Sequence, residues 1–221
     1  MSFHPSFLSL HLTPPSLVFA IFFAAQSKYV GTLKDGVKAG KGTFTWANGE
    51  VYKGQWKDDM RDGKGTHTWP SGAVYVGEFR KDKRHGQGKI TWGEGHYYEG
   101  GWVDDERSGN GVFQWPDGEQ YKGSFKAGGR SGEGRNVWPD GEVYAGAYKN
   151  DMREGKGVHN FANGDRYEGD FSLDRKHGNG ILAWADGSVY EGEFREDKAE
   201  GTGKKVRSYY PWHKSRCQWM R

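Results

Sequence analysis

Eight copies of a 23-residue pattern follow one another in this chain without a gap. Each copy has Tyr at position 1, Gly at positions 3, 12 and 14, and a large apolar residue at position 5. Position 18 is Trp in six copies, and position 21 is Gly in seven. Because a fixed period indicates one structural element that is copied and stacked, this repeat constrains the fold more than any other feature. The copies, called units 1 to 8 below, begin at Tyr29, Tyr52, Tyr75, Tyr98, Tyr121, Tyr144, Tyr167 and Tyr190.

The spacing inside each unit has a period of two. Positions 1, 3 and 5 fall on one face of an extended strand and polar positions 2 and 4 on the other, and positions 14, 16 and 18 repeat this arrangement. The Asn-Gly and Asp-Gly pairs at positions 20 and 21 predict a tight turn. Each unit is thus expected to form two short strands joined by a polar six-residue loop. Glycines on the ring face leave room for a neighbouring ring to lie flat on the backbone.

The predicted fold class is all-β, an elongated single-sheet array of antiparallel β-hairpins. One hairpin cannot bury its own ring face, so stability must come from stacked neighbours. Leu, Ile and Val are scarce, which normally suggests disorder. Ten Trp, twelve Tyr and twelve Phe at fixed spacing indicate instead that rings supply the buried apolar surface.

Three segments are predicted: a leader at 1–27, the array at 28–203 and a tail at 204–221. The leader carries no Asp, Glu, Lys or Arg, and it contains an apolar run at 16–25. This run is too short to span a membrane as a helix, and three readings stay open. It is a signal-like segment, an apolar cap over the first hairpin, or a disordered leader outside the functional protein.

The tail is basic and aromatic, and the repeat pattern fails there. Arg207 stands where Trp is expected, so the last strand is predicted to be incomplete. The tail holds six cations and no acid, a composition that anionic membrane surfaces attract. The alternative is a segment that frays or covers the open sheet edge. The candidate anionic-surface residues are Lys204, Lys205, Arg207, Lys214 and Arg216.

Familiar catalytic signatures are absent from the sequence. The recurring Gly-x-Gly, as at Gly86 and Gly88, opens a strand, whereas a phosphate cradle leads into a helix. The histidines His67, His85 and His159 follow the repeat columns, as does His177, without Cys or His partners at metal-binding spacing. A single cysteine excludes an intrachain disulfide. We therefore expect no enzyme activity, cofactor, metal or nucleic-acid partner.

The combination of Tyr-x-Gly-x-Phe/Trp, a polar stretch, Gly-x-Gly and Trp-x-Asp/Asn-Gly at period 23 resembles the MORN (membrane occupation and recognition nexus) repeat. The unit YEGDFSLDRKHGNGILAWADGSV, from Tyr167, matches that pattern almost throughout. The resemblance implies an extended antiparallel β array with an aromatic-lined groove. No kinase, methyltransferase or C-terminal membrane-helix pattern accompanies these repeats, so activities that such domains supply elsewhere in the family are not expected.

Two functions are compatible with the resemblance. The first is a non-enzymatic cytoplasmic scaffold, linked to cytoskeletal, flagellar or membrane-associated assembly, that holds a partner's peptide or helix in the groove. Rings at positions 1 and 5, with the position-18 Trp, would line that groove, unless these rings are simply the core. The groove candidates are Tyr52, Trp56, Tyr75, Phe79, Tyr98, Trp102, Tyr121, Phe125, Tyr144, Tyr148, Tyr167 and Phe171.

The second function is a peripheral membrane adaptor that binds anionic phospholipid or phosphoinositide, or a regulatory portion related to the MORN regions of phosphatidylinositol-phosphate 5-kinases. The total charge is +3 and the leader is uncharged, so the array itself has a negative net charge that disfavours an anionic leaflet. Unpaired strands at the ends of the array also suggest an end-to-end homodimer.

Overall fold

The computed structural model describes residues 18–22 and 27–207, with side chains for 27–205. The described residues form one seventeen-stranded antiparallel sheet in which each strand pairs with the next in sequence. No helix in this part of the chain is long and apolar enough to cross a membrane. The strands are β1 Val18–Phe22, β2 Lys28–Lys34, β3 Val37–Thr45, β4 Val51–Lys57, β5 Met60–Thr68, β6 Val74–Arg80, β7 Lys83–Gly93, β8 His96–Val103, β9 Glu106–Gln114, β10 Gln120–Lys126, β11 Gly129–Val137, β12 Val143–Lys149, β13 Met152–Asn160, β14 Arg166–Ser172, β15 Arg175–Ala183, β16 Ser188–Arg195 and β17 Lys198–Arg207.

The hairpin inside each unit is tighter than predicted. In unit 2 the strands remain paired as far as Lys57 and Met60, and only Asp58 and Asp59 form the turn. The expected six-residue loop is therefore wrong. Both turn residues have positive φ, 50° and 65°, as in the type I′ turn whose twist matches that of paired strands. An irregularity in register between Gly54 and Trp56 lets the pairing continue past the glycines.

The predicted turn between units is confirmed. The Trp69 carbonyl accepts a hydrogen bond from Gly72 N–H, and Trp69 N–H donates to the Ala73 carbonyl, both at 2.9 Å. Gly72 has φ +87°, which explains glycine at position 21. The turn from unit 3 to unit 4 differs, because only Glu94 and Gly95 separate β7 from β8.

A row of glycines crosses the sheet. Gly54 lies opposite Gly65 on the next strand, and Gly65 lies opposite Gly77 on the one after. The same register places positions 3 and 14 opposite each other throughout the array, from Gly31 to Gly203. We call this line of glycines at positions 3 and 14 the glycine row.

The core covers one face of the sheet only. A β-carbon on Gly65 would lie 2.5 Å from Cε2 of Tyr52, so the ring occupies the space above the glycine row. In units 2 to 7 the position-1 Tyr also meets the position-5 ring of its own unit and of the next. Tyr52 is edge-on to Trp56 and to Phe79, with ring centroids 5.1 Å apart in both pairs. The opposite face, formed by the even positions of each first strand, carries no second layer among the described residues.

The first and last strands of the sheet include residues from the predicted leader and tail. Residues 18–22 form β1, which pairs with β2 at the N-terminal end of the sheet, and the three readings of the leader stay predictions. At the other end β17 continues through Arg207, which lies opposite Ser188. The prediction of an incomplete last strand is therefore wrong, because strand pairing uses backbone groups and does not need the missing Trp.

Candidate functional site

The structure places all twelve groove candidates in the core. Among these candidates the position-1 tyrosines are 0% exposed and the position-5 rings at most 5%. They form the interior of the array rather than the walls of an open groove, because each ring is covered by rings of the same and adjoining units. The position-18 rings at Trp46, Trp69 and Trp115 are half-buried at the margin of this core. The buried candidates are Tyr52, Trp56, Tyr75, Phe79, Tyr98, Trp102, Tyr121, Phe125, Tyr144, Tyr148, Tyr167 and Phe171.

Each position-1 hydroxyl is used inside its own strand. Tyr52 Oη donates to the carbonyl of Gln55 at 3.0 Å, reaching across Gly54. Burial raises the pKa of Tyr52 to about 12, while the Arg61 charge partly offsets this. The hydroxyl therefore stays protonated at neutral pH and acts as a structural donor.

A ladder of cations and carboxylates runs along the ring face at the hairpin turns. The position-10 residue of one unit meets the position-8 Asp of the next. Arg61 Nε lies 3.1 Å from Asp82 Oδ1, and Asp82 N–H donates to the Arg61 carbonyl at 3.0 Å. The Arg61 guanidinium also lies 5.1 Å from the centre of the Phe79 ring. Equivalent ion pairs join Lys38 to Asp59, Arg84 to Asp105, Arg130 to Asp151 and Arg153 to Asp174.

Arg107 interrupts this ladder. The turn that should supply its carboxylate is Ala127–Gly128. Among the described residues, no carboxylate lies within ion-pair distance of its guanidinium, which instead packs against the rings of Tyr98, Phe113 and Phe125.

Two histidines at position 16 are buried on the ring face, as the column they occupy predicted. His67 is stacked between Trp46 and Trp69 at interplanar angles of 9°. Its Nε2 lies 3.0 Å from a Glu50 oxygen, and its Nδ1 lies 2.7 Å from an Arg61 nitrogen. Because guanidinium can only donate, Nδ1 must accept, and the ring proton sits on Nε2 and is donated to Glu50.

Burial and the Arg61 charge lower the pKa of His67, which stabilises this neutral form. His159 is held in the same way by Glu142 and Arg153, and burial likewise lowers its pKa. Over residues 18–22 and 27–207, no three His, Cys, Asp or Glu side chains are placed to hold a metal ion.

The open face carries a groove above the glycine row. Its floor is glycine backbone, and its walls are the side chains at positions 2, 4, 13 and 15. Clefts of about 820, 780 and 470 Å³ follow it from Gly65 to Gly192. They join because the first two share Ala145 and the last two share Gln87. We call this continuous feature the glycine groove.

The walls of the glycine groove change charge along its length. Lys64 lines the end of the groove in unit 2, and Lys41 and Lys53 are exposed just beyond that end, on the same face of units 1 and 2. Acidic side chains dominate the walls of units 7 and 8, namely Glu168, Asp170, Glu191 and Glu193. The groove therefore has a basic end and an acidic end.

The predicted anionic-surface residues do not form one described patch. Lys204 and Lys205 are exposed on β17, but neighbouring residues of a strand point to opposite faces. Lys205 lies on the ring face, with Nζ 4.8 Å from the centre of the Trp184 ring. Arg207 ends β17, while Lys214 and Arg216 lie outside the described residues.

Comparison with known families decides what the array is. The model of the MORN repeat matches eight consecutive segments, at residues 29–51, 52–74, 75–97, 98–120, 121–143, 144–166, 167–189 and 190–208. The chain belongs to the MORN repeat family. A search of curated proteins matches none.

Solved structures add little to this MORN array. The TCP domain of SAS-4 (dCPAP) from Drosophila melanogaster, in complex with a proline-rich motif of Ana2, is 13% identical. That match covers 82% of this chain and 96% of the domain, with a TM-score of 0.41. A virginiamycin B lyase from Staphylococcus aureus is 8% identical over 87% of this chain and 70% of the lyase, with a TM-score of 0.18. At these TM-scores neither likeness bears on function.

Sequence reasoning missed two features of the MORN array. It placed polar positions 2 and 4 on the face opposite the rings and did not recognise them as groove walls. The available signal was the pair of glycines at positions 3 and 14, which meet only if the strands are aligned. It also did not notice that unit 5 has Gly128 at position 8, where six other units carry Asp.

Proposed function

We propose that this MORN array is a non-enzymatic scaffold whose glycine groove holds an extended segment of a partner polypeptide. The observation that carries the proposal is a continuous groove on the face that lacks a second layer. Solenoid arrays generally bind through such extended surfaces. The family resemblance supports a cytoplasmic setting in a cytoskeletal, flagellar or membrane-associated assembly.

The dimensions of the glycine groove favour a strand-like ligand. From β5 to β16 it crosses eleven strand spacings of about 4.8 Å each, or roughly 50 Å in total. An extended peptide of about 16 residues has this length. The wall side chains above a flat glycine floor would decide which sequence is accepted.

The opposite charges at the two ends of the glycine groove would orient a bound peptide along it. The lysines of units 1 and 2 favour acidic residues at one end of the ligand, and the carboxylates of units 7 and 8 favour basic residues at the other. Complementary charge sets orientation and association rate more than affinity. We therefore expect binding that weakens moderately with salt and a fixed polarity of the partner segment.

The test places a photo-reactive benzoylphenylalanine at Val158, which lines the groove, in cells that produce the chain. A matched control carries it at Leu173, a hairpin-turn residue that is 63% exposed. We expect mass spectrometry to find one partner segment attached at position 158 and not at position 173. Replacing both Lys53 and Lys64 by Glu should reduce that adduct. Equal adducts at both positions, or none at 158, would contradict the proposal.

The membrane-adaptor alternative is separated by co-sedimentation with phosphoinositide-containing liposomes at low and physiological salt. Wild type is compared with a full-length variant in which the tail candidates Lys204, Lys205, Arg207, Lys214 and Arg216 become Gln. Under the scaffold proposal, any binding is lost in the variant or at physiological salt. Binding that persists in the variant at physiological salt would show that the array itself recognises lipid.

A further inference from the structure

Three departures from the repeat meet at one cavity on the ring face. It has a volume of about 410 Å³, and we call it the Arg107 cavity. Unit 5 lacks the turn Asp, unit 3 has a shortened turn, and His96 stands where most other units carry an acid or a small residue. The lining includes Arg84, Trp92, His96, Arg107, Phe113 and Gly128.

The first departure removes a carboxylate and leaves the backbone in place. Gly128 N–H still donates to the Arg107 carbonyl at 3.1 Å, as Asp151 N–H donates to the Arg130 carbonyl at 3.0 Å. Gly128 has φ +80°, close to the +67° of Asp151. A β-carbon built on Gly128 meets nothing within 4 Å. The space that an Asp side chain fills beside Arg130 is therefore open beside Arg107.

The positive charge of Arg107 lacks the Asp partner that the equivalent arginines of other units have. Its guanidinium lies 4.9 Å from the centre of the Phe113 ring and 5.5 Å from that of Phe125. Burial lowers its pKa, and the Asp151 charge counters this in part. A half-buried guanidinium gains most from a carboxylate, which it can bind through two parallel N–H donors.

The charges of the neighbouring side chains limit which anion the cavity can bind. Arg84 is already paired with Asp105 at 2.8 Å. Glu106 also lines the cavity, but it is not within ion-pair distance of Arg107. The Arg84–Asp105 pair is neutral as a whole, and Glu106 opposes the approach of a highly charged anion to Arg107, so a singly charged carboxylate is favoured over a phosphate dianion.

The shortened turn of unit 3 supplies an aromatic platform beside this charge. The strands that flank Glu94–Gly95 bring His96 within 4.5 Å of Trp92, centre to centre. Trp92 is 38% exposed, whereas the other position-18 rings of units 1 to 7 are half-buried. An exposed indole next to an unpaired guanidinium suits a residue pair in which an acid is followed by an aromatic or apolar side chain.

We propose that the Arg107 cavity binds an Asp or Glu side chain of a partner polypeptide, with Arg107 receiving the carboxylate and Trp92 packing against the adjoining residue. The carboxylate takes the place that Asp82, Asp105, Asp151 and Asp174 fill inside the other units. This inference rests on the proposed function only in taking the ligand to be a polypeptide. It lies on the face opposite the glycine groove and names a separate contact.

The experiment titrates the full chain with the capped dipeptide acetyl-Asp-Tyr-amide and follows the Arg107 Nε–H and Trp92 indole N–H signals by NMR. The matched probe is acetyl-Asn-Tyr-amide, and inorganic phosphate is a third arm. We expect saturable shifts of both signals with the Asp probe and at least tenfold weaker binding of the Asn probe. Phosphate should leave both signals unchanged.

Three variants complete the test. Gly128→Asp should abolish binding by supplying an internal carboxylate, and its NMR spectrum should show a folded array. Arg107→Gln should also abolish binding, whereas Arg130→Gln, which breaks a ladder pair elsewhere, should not. Unchanged binding by Gly128→Asp overturns the proposal, as does the absence of saturable shifts with the Asp probe. Shifts with phosphate but not with the Asp probe overturn the carboxylate assignment.

The two proposals fail separately. Photo-crosslinking at Val158 with no binding of the Asp probe would reject the Arg107 cavity and leave the glycine groove standing. Binding of the Asp probe without crosslinking at Val158 would reject the glycine groove alone.

Discussion

At the scale of the residue, glycine decides how the core is built. Positions 3 and 14 are glycine because a tyrosine ring occupies the space where their β-carbons would lie. This close approach allows the Tyr hydroxyl to reach a backbone carbonyl of its own strand, so a buried polar atom is satisfied. A single layer of strands thereby gains a dense apolar face that is built mainly from aromatic rings.

The replacement Gly134→Ala tests this packing. The new β-carbon would lie 2.5 Å from Cζ of Tyr121, so the ring must move. We expect a loss of about 1–3 kcal/mol in unfolding free energy, as for other overpacked cores, measured by urea unfolding. The control is Lys122→Ala at an exposed position of the adjoining strand. Equal effects of the two replacements would refute the role assigned to the glycine row.

At the scale of the element, each unit is completed by the ones beside it. The Glu50 carboxylate at the end of unit 1 accepts a hydrogen bond from His67 in unit 2, and Arg61 of unit 2 is paired with Asp82 in unit 3. In units 1 to 7, position 16 varies among Phe, His, Ile, Asn and Leu, yet the two histidines and the asparagine keep the same bond to a glutamate of the preceding unit. Asn136 Nδ2 donates to Glu119 at 2.7 Å, in the place where His67 meets Glu50.

The buried histidines predict a dependence of stability on pH. Their folded pKa lies below the unfolded value of 6.5. Well above pH 6.5 both states are neutral, and stability does not change through these groups. As the pH falls below 6.5 the unfolded chain takes up protons first, so the array loses stability until the folded histidines also become protonated.

The measurement compares urea midpoints at pH 7.5 and 5.5 for wild type and for the double variant His67→Asn, His159→Asn. Since Asn retains a donor for the glutamate, we expect the variant to fold and to lose less stability on acidification. The replacement His85→Asn, at a residue outside position 16, is the control. If wild type and the double variant respond equally, the buried histidines are not the source.

At the scale of the whole molecule, the array is one sheet in which strands pair only with their sequence neighbours. Stability in such an array approximates a sum of unit terms and neighbour terms. The outer edge of β17 has no partner among the described strands, which keeps the homodimer prediction open to test by size-exclusion chromatography with light scattering. Lysines along β17, at 198, 204 and 205, oppose edge pairing.

Deletion of one complete unit, residues 121–143, tests the modular architecture. The remaining strands keep their register, so we expect a folded array with the same β signal per residue by circular dichroism and a somewhat lower melting temperature. The control deletes only 122–143. Because a one-residue slip moves every side chain to the opposite face, we expect that chain not to form the native core. A folded control would contradict the register argument.

How far the sequence alone predicts this protein differs between its parts. The period predicted the sheet, the stacked rings and the turn at positions 20 and 21, because these follow from local chemistry repeated eight times. It did not predict the two-residue hairpin turn, since Asp58 and Asp59 adopt positive φ without a glycine. It also did not distinguish rings that are buried from rings that are open, because the same alternation serves both.

The sequence by itself determined which residues share a face, because a strand alternates and the period keeps the units in phase. Only the tertiary structure decided that the rings of one face cover one another and that the groove lies on the other. The alignment of glycines across strands fixes both outcomes, and it exists only once the strands are paired. The open space beside Arg107 also depends on strand pairing. Gly128, which stands where most other units carry the turn Asp, is 21 residues from Arg107 in the chain and lies beside it only in the folded sheet.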